Sequence, residues 1–247
     1  MIRVRGLRKV YPGSTIGLDG IDLDIGDGEM IALIGPSGAG KSTFLRCLNG
    51  LVTPTAGEIR IGDARVSGAG AEDLRRIRAS IGFVFQQFNL LRRLSVLDNV
   101  LVGRLARVPT LRSLLGLFPA ADVTRARDAL DRVGLAGLGD RRVDTLSGGQ
   151  QQRVAIARAL VQEPQMLLAD EPMASLDPAL AHTVLALLRR ISEEDGLTVV
   201  TSLHVLDLAR LYGRRVVGLR AGHVVYDGPP EGLTDAVAER IFAGRVA

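Results

Sequence analysis

Gly35-Pro36-Ser37-Gly38-Ala39-Gly40-Lys41-Ser42 has the residue types and spacing needed to hold a chain of phosphates, matching G-x-x-x-x-G-K-[ST] in full. Glycines let backbone amides turn inward around phosphate oxygens, and a helix that follows points its positive end at them. Lys41 would reach the β- and γ-phosphates, Ser42 would offer its hydroxyl to Mg²⁺, and Thr43 can add a hydroxyl near the α-phosphate. The plainer alternative is a glycine-rich turn carrying a surface lysine. A buried strand before the loop and a helix after it favour the phosphate site.

Further along, Asp170 closes the apolar run Met166–Ala169, which brings its carboxylate out at a strand's C-terminal edge. That is where a P-loop enzyme needs a partner for Mg²⁺. Glu171 follows and is suited to polarising an attacking water. Two solvated acids before a Pro172 turn would look the same in isolation; the loop at Gly35–Ser42 decides for chemistry. His204 closes the strand Val199–Ser202, and its imidazole can donate to a γ-phosphate or hold the water and Glu171. Gln86, after Val84-Phe85, can reach Mg²⁺ or the water through its amide, and by chemistry alone Gln87 serves equally. Tyr11 offers a ring for adenine, and it also fits an edge-of-core tyrosine. Leu146-Ser147-Gly148-Gly149-Gln150 is a second surface able to hold phosphate oxygens, in a chain that already has one. That redundancy suggests a nucleotide shared between two copies.

The elements that must position these residues read as α/β. Short strands are expected at Ile2–Val4, Ile21–Ile25, Glu58–Ile61 and Ile81–Phe85, and a fully buried one at Met30–Ile34. A helix is expected over Ser42–Asn49, ending at Gly50. From about residue 88 to 160 the chain turns Leu-, Arg- and Ala-rich, with helical spacing in Leu94–Leu105 and Val123–Val133. Pro109 and Pro119 leave room for a short helix, Leu111 to Leu117. Buried-strand patterns return at Met166–Ala169, Leu197–Val200 and Val216–Leu219, with a helix at Leu180–Ile191 between them. Arg220–His223 reads as a hairpin turn into Val224–Tyr226. One domain over 1–247 is expected, with core segments 1–87 and 161–247 and an inserted helical subdomain at 88–160.

Composition agrees. The 247 residues are 47% hydrophobic and 23% charged, enough for one large core. A net charge of +4 without Trp or a compact basic block argues against nucleic acid. Cys47 is the single cysteine, so no internal disulfide forms, and packing is its expected role. The charged alternation Met1–Arg5 is unlike a signal core, and no apolar run approaches the roughly 20 residues of a membrane span. At a membrane, other chains would supply the span.

Together these motifs resemble the ATP-binding subunits of ABC transporters, over essentially the whole chain. The resemblance implies a P-loop NTPase (RecA-like) core, an antiparallel β subdomain and an inserted α-helical subdomain. It assigns Tyr11 to adenine, Gly35–Ser42 to the Walker A loop, Gln86 rather than Gln87 to the Q-loop, and Leu146–Gln150 to the signature. It also assigns Met166–Asp170 to Walker B, Glu171 to the catalytic glutamate, Ser175-Leu176-Asp177 to the D-loop and His204 to the switch histidine. It further implies a head-to-tail homodimer in which Ser147, Gly148, Gly149, Gln150 and Asp177 complete the ATP site of the other copy. ATP is the substrate, and Mg²⁺ is held by Ser42, Gln86 and Asp170.

Within the family, Arg104–Pro119 and Ser202–Ala209 are most similar to phosphonate-import ATPases, as are Asp207 and Arg220-Ala221-Gly222. Phe85–Leu90 fits as well, but polar amino-acid importers share it. Met173, Thr201 and Leu206 depart slightly, none at a catalytic role. The subgroup implies transmembrane permease subunits, a periplasmic or extracellular phosphonate-binding protein, and a peripheral position on the cytoplasmic face of the cell (inner) membrane. ATPases for amino-acid import or lipoprotein release share every catalytic motif, so Arg104–Pro119 is what separates them. An ABC protein acting on DNA or ribosomes usually carries two ATPase domains or long coiled-coil inserts, neither present here. A non-hydrolysing subunit is disfavoured by intact Lys41, Glu171 and His204.

Overall fold

Met30–Ile34 is apolar at every position because both of its faces are covered. Met30, Ala32 and Ile34 pack into one hydrophobic cluster, while Ile31 and Leu33 pack into a second on the opposite side. The same period of two splits Leu167 and Ala169 from Met166 and Leu168, as a strand buried on both faces requires. The computed structural model describes residues 1–174 and 176–242.

In chain order the elements are β1 (Ile2–Val10), β2 (Ile16–Ile25), β3 (Met30–Ile34), α1 (Lys41–Leu48), β4 (Ala56–Ile61), β5 (Ala64–Arg65), α2 (Ala71–Ala79) and β6 (Ile81–Val84). A stretch of helices follows: α3 (Val96–Leu101), α4 (Thr110–Leu114), α5 (Ala120–Arg132) and α6 (Gly148–Leu160). Then come β7 (Met166–Ala169), α7 (Pro178–Asp195), β8 (Thr198–Leu203), α8 (Leu206–Tyr212), β9 (Arg215–Arg220), β10 (His223–Gly228) and α9 (Asp235–Phe242).

Two sheets result. The larger runs β10-β9-β3-β8-β7-β6, parallel from β9 to β6, with β10 antiparallel at the edge. The smaller, β2-β1-β4-β5, is antiparallel throughout and shares the second hydrophobic cluster with α1 and one face of the large sheet. The helices α3, α5 and α6 share the first cluster with the other face. The fold is that of a P-loop NTPase. No helix among the described residues is long and apolar enough to cross a membrane.

Several elements differ from the sequence expectation. β1 continues past Val4 to Val10 because Gly6, at φ 53°, opens a bulge that shifts the register before Leu7. The expected helix Leu94–Leu105 stops at Leu101 and tightens into a 3₁₀ turn over Val102–Arg104. Gly103 packs there directly against the Arg158 carbonyl, where a Cβ would come within 2.3 Å. The short helix between the prolines is Thr110–Leu114. Strand β8 begins at Thr198 and runs to Leu203. α2, α8 and α9 were not legible: α2 buries only Ile77 and α8 is a bare two turns.

Candidate functional site

The loop between β3 and α1 is shaped by two close approaches. At Gly40 (φ 107°) a Cβ would meet the Gly17 carbonyl at 2.4 Å, and at Gly35 it would meet the Leu219 carbonyl at 2.2 Å. Only glycine fits either position. Gly40 sits at the start of α1 without a side-chain cap, so the helix directs its positive end at the loop. Lys41 is buried, and its Nζ donates to the carbonyls of Gly35 (2.8 Å) and Pro36 (3.1 Å) and lies 3.4 Å from Nδ1 of His204.

Strand order then gathers three loops. β8 lies between β3 and β7, so Gly35–Ser42, Asp170-Glu171 and His204 all leave the sheet at one C-terminal edge. Ser42 Oγ donates to Asp170 Oδ1 at 2.7 Å. Arg46 Nη2 reaches Asp170 Oδ2 at 3.3 Å. Asp170, only 1% exposed, is therefore a buried carboxylate supplied with donors. His204 Nε2 contacts Glu171 Oε1. A lysine ammonium has no lone pair, so Nδ1 facing Lys41 must accept, and Nε2 carries the proton that goes to Glu171. Glu171 itself takes φ 48°, a left-handed conformation costing a non-glycine residue about 1–2 kcal/mol. A cavity of about 600 Å³ opens beside it, lined in part by Glu171, Ser202, His204 and Met173.

The oxygen set suits a small hard cation. Among the described residues no three His, Cys, Asp or Glu side chains converge to cage an ion. Ser42 and Asp170 could thus hold Mg²⁺ only jointly with phosphate oxygens and water, as Mg²⁺ prefers.

Other expected residues are placed differently. Tyr11 is half-buried against the start of α1, with its hydroxyl 3.1 Å from Thr43 Oγ1 and Lys9 Nζ over its ring. Gln86 is exposed in the turn after β6 and makes no hydrogen bond to the Ser42–Asp170 pair. Ser147 begins α6 in a reciprocal capping box with Gln150. Gly148 and Gly149 lie against Leu176 and Leu180, and Asp177 caps α7 by accepting from the Leu180 amide at 3.0 Å. The hydrogen bonds of this turn are local, with Ser147 and Gln150 bonded to each other and Gln151 donating to the Leu146 carbonyl. Ser175 of the expected D-loop lies outside the described residues. Cys47 is buried in packing, and burial pushes its thiol up to about 11.

Three residues at the site went unread in the sequence. Arg46 lies four positions after Ser42, one turn along the same helix face, so its spacing was a usable signal. Ser202 accepts the Glu171 amide at 2.8 Å and donates to Asp170 at 3.2 Å. Arg158, on α6, donates to the carbonyls of Asn89 (2.6 Å) and Phe88 (2.7 Å), both in left-handed conformation just after Gln86. No local pattern announces either of the last two.

The family model described as ABC transporter matches residues 18–174, taking in the phosphate loop, the Ser147–Gln150 turn and the acidic pair. This chain belongs to the ABC transporter family. Curated relatives match nearly all of the chain. A phosphonates import ATP-binding protein of Halalkalibacterium halodurans is 48% identical over 98% of this chain and 99% of its own. One from Rhodopseudomonas palustris is 50% identical over 98% of this chain and 86% of its own. Among solved structures, a dimeric ATP-binding cassette in a post-hydrolysis state, bound to ADP and Pi, superposes with a TM-score of 0.80. It is 35% identical over 93% of this chain and 99% of that one. The present ABC ATPase therefore binds ATP through a P-loop fold of this family.

Proposed function

We propose that this ABC ATPase is the ATP-hydrolysing subunit of a phosphonate importer, with two copies closing head to tail over ATP. The hydrolytic reading is carried by the convergence of Lys41, Ser42, Asp170, Glu171 and His204 at one sheet edge. The dimer reading draws support from Ser147, engaged in its capping box with Gln150, and from Gly148 and Gly149, which lie against Leu176 and Leu180. It draws further support from the dimeric state of the cassette described above. The cargo rests on the relatives, phosphonate-import ATP-binding proteins that match 98% of this chain.

In this reading Gly35–Thr43 wrap the phosphates, Lys41 offsets charge on the β- and γ-phosphates, and Tyr11 stacks on adenine. Ser42, Asp170 and Gln86 would hold Mg²⁺, which when bound would supply charge neutralisation for the phosphates. Glu171 takes the proton of the attacking water, and His204 fixes that carboxylate through Nε2. Ser147, Gly148, Gly149, Gln150 and Asp177 complete the site of the other copy. Residues 1–247 act as one ATP-binding domain, with core segments 1–87 and 161–247 and a helical subdomain at 88–160. Its further partners are transmembrane permease subunits and a phosphonate-binding protein outside the membrane. The ATPase sits peripherally on the cytoplasmic face. A groove between core and helices, lined in part by Leu51, Phe83, Phe85, Arg75 and Arg158, supports docking of a permease segment.

Glu171→Gln tests the mechanism: the variant should bind ATP, lose about 10²-fold or more in kcat, and elute as a dimer with Mg-ATP on sizing chromatography. Monomer alone would count against it. For the cargo, ATPase activity in proteoliposomes with the co-purifying permease should rise when phosphonate-loaded binding protein is added. Stimulation by polar amino acids instead would overturn the assignment.

A further inference from the structure

We propose that Ser202 is a positioning residue for hydrolysis, its single hydroxyl setting the geometry of both Asp170 and Glu171; this rests on the roles proposed above for those two acids. Asp170 is still tied to the sheet, its amide donating to the Val84 carbonyl at 2.9 Å. One residue later the chain leaves the ladder: Glu171 turns to φ 48° and its amide donates to Ser202 Oγ at 2.8 Å. The same oxygen donates its proton to Asp170 Oδ1 at 3.2 Å, the carboxylate atom that also accepts from Ser42.

A hydroxyl has one proton and two lone pairs, so Ser202 can serve both neighbours at once. It is 0% exposed, so both of its hydrogen bonds are made to protein groups at close range. A hydroxyl in this strand is not satisfied by default, since the adjacent Thr201 Oγ1 is buried without a partner. Without the Ser202 oxygen, the left-handed turn at Glu171 loses the acceptor that holds its amide. Relaxation of that turn toward the favoured right-handed region would swing the Glu171 carboxylate away from His204. Ser202 reaches the phosphate loop only at second hand, through the Asp170 Oδ1 that it shares with Ser42, so its loss should bear on hydrolysis rather than on nucleotide affinity.

The test uses the full chain with Ser202→Ala and Ser202→Cys, the second keeping the side-chain volume if the first fails to fold. In either folded variant kcat should drop about 10- to 100-fold, as expected when a catalytic group moves by about an ångström, while KM for ATP holds. Metal-free ATP affinity should match that of the unaltered protein, and Mg-ATP should retain the variant as a dimer on sizing chromatography. Ser202→Thr, which restores the hydroxyl, should recover kcat to within about threefold.

A folded Ser202→Ala or Ser202→Cys with kcat within about twofold of the unaltered enzyme would overturn the proposal, as would a parallel loss of ATP affinity. So would failure of Ser202→Thr to recover kcat while its melting midpoint stays unaltered. Glu171→Gln run alongside separates the two levels. If it is inactive while the Ser202 variants are not, this inference alone fails. If it hydrolyses ATP normally, the role given to Glu171 fails and Ser202 falls with it.

Discussion

The Ser42 hydroxyl donates to the Asp170 carboxylate at 2.7 Å, joining residues 128 positions apart at the edge of the parallel sheet. Asp170 is buried, so loss of this donor strips a charged group that water cannot easily rescue. Ser42→Ala should lower stability by about 1–3 kcal/mol, or about 2–4 °C in melting midpoint per kcal/mol. It should also raise the Mg²⁺ concentration needed for half-maximal hydrolysis. Calorimetry and a Mg²⁺ titration of ATPase rate check the two effects separately.

Ser147 caps α6, its hydroxyl accepting from the Gln150 amide at 3.3 Å. Ser147→Arg should cost about 1 kcal/mol of helix capping, leave ATP binding to an isolated copy nearly intact, and abolish hydrolysis. Equal loss of ATP affinity in the monomer, read by equilibrium binding, would refute completion of the site by a second copy.

Arg158 grips the carbonyls of Phe88 and Asn89, and no carboxylate pairs with it among the described residues. Burial pushes its guanidinium below the usual arginine range. Its two-pronged geometry is what Lys lacks, so Arg158→Lys should not substitute for it. Either Arg158→Lys or Arg158→Met should destabilise the protein by about 2–4 kcal/mol and raise amide exchange in residues 86–90. Unchanged protection there would show that the turn after β6 holds itself.

Thr201 carries a buried hydroxyl without a partner, whereas Thr198 and Ser202 on the same strand have theirs hydrogen-bonded. Thr201→Val exchanges that group for a methyl of similar shape. The change should stabilise by about 1 kcal/mol, seen as a rise of about 2–4 °C in melting midpoint, with hydrolysis unaltered. A fall in melting midpoint would mean the hydroxyl has a partner after all.

Legibility followed range. The phosphate loop, the buried run Met30–Ile34 and the acids at the end of Met166–Ala169 were readable because each depends on neighbours within a few residues. The amphipathic α5 was readable for the same reason, with Ala126, Ala129 and Leu130 on its buried face. α2 escaped because its polar sequence buries one residue, and β1 was cut short because Gly6 breaks the alternation on which strand reading depends.

The sequence by itself determined the chemistry available: a lysine and hydroxyl on a glycine loop, two adjacent acids, a histidine and a second phosphate-holding turn. Only the tertiary structure decided which of these meet. Insertion of β8 between β3 and β7 puts His204 and Ser202 beside Asp170 and Glu171, while packing of α6 on the helical side leaves Ser147 in a cap with Gln150. Such pairings join residues up to 163 positions apart, as between Lys41 and His204. They are set by strand order and by burial of whole faces, which no short window of residues encodes.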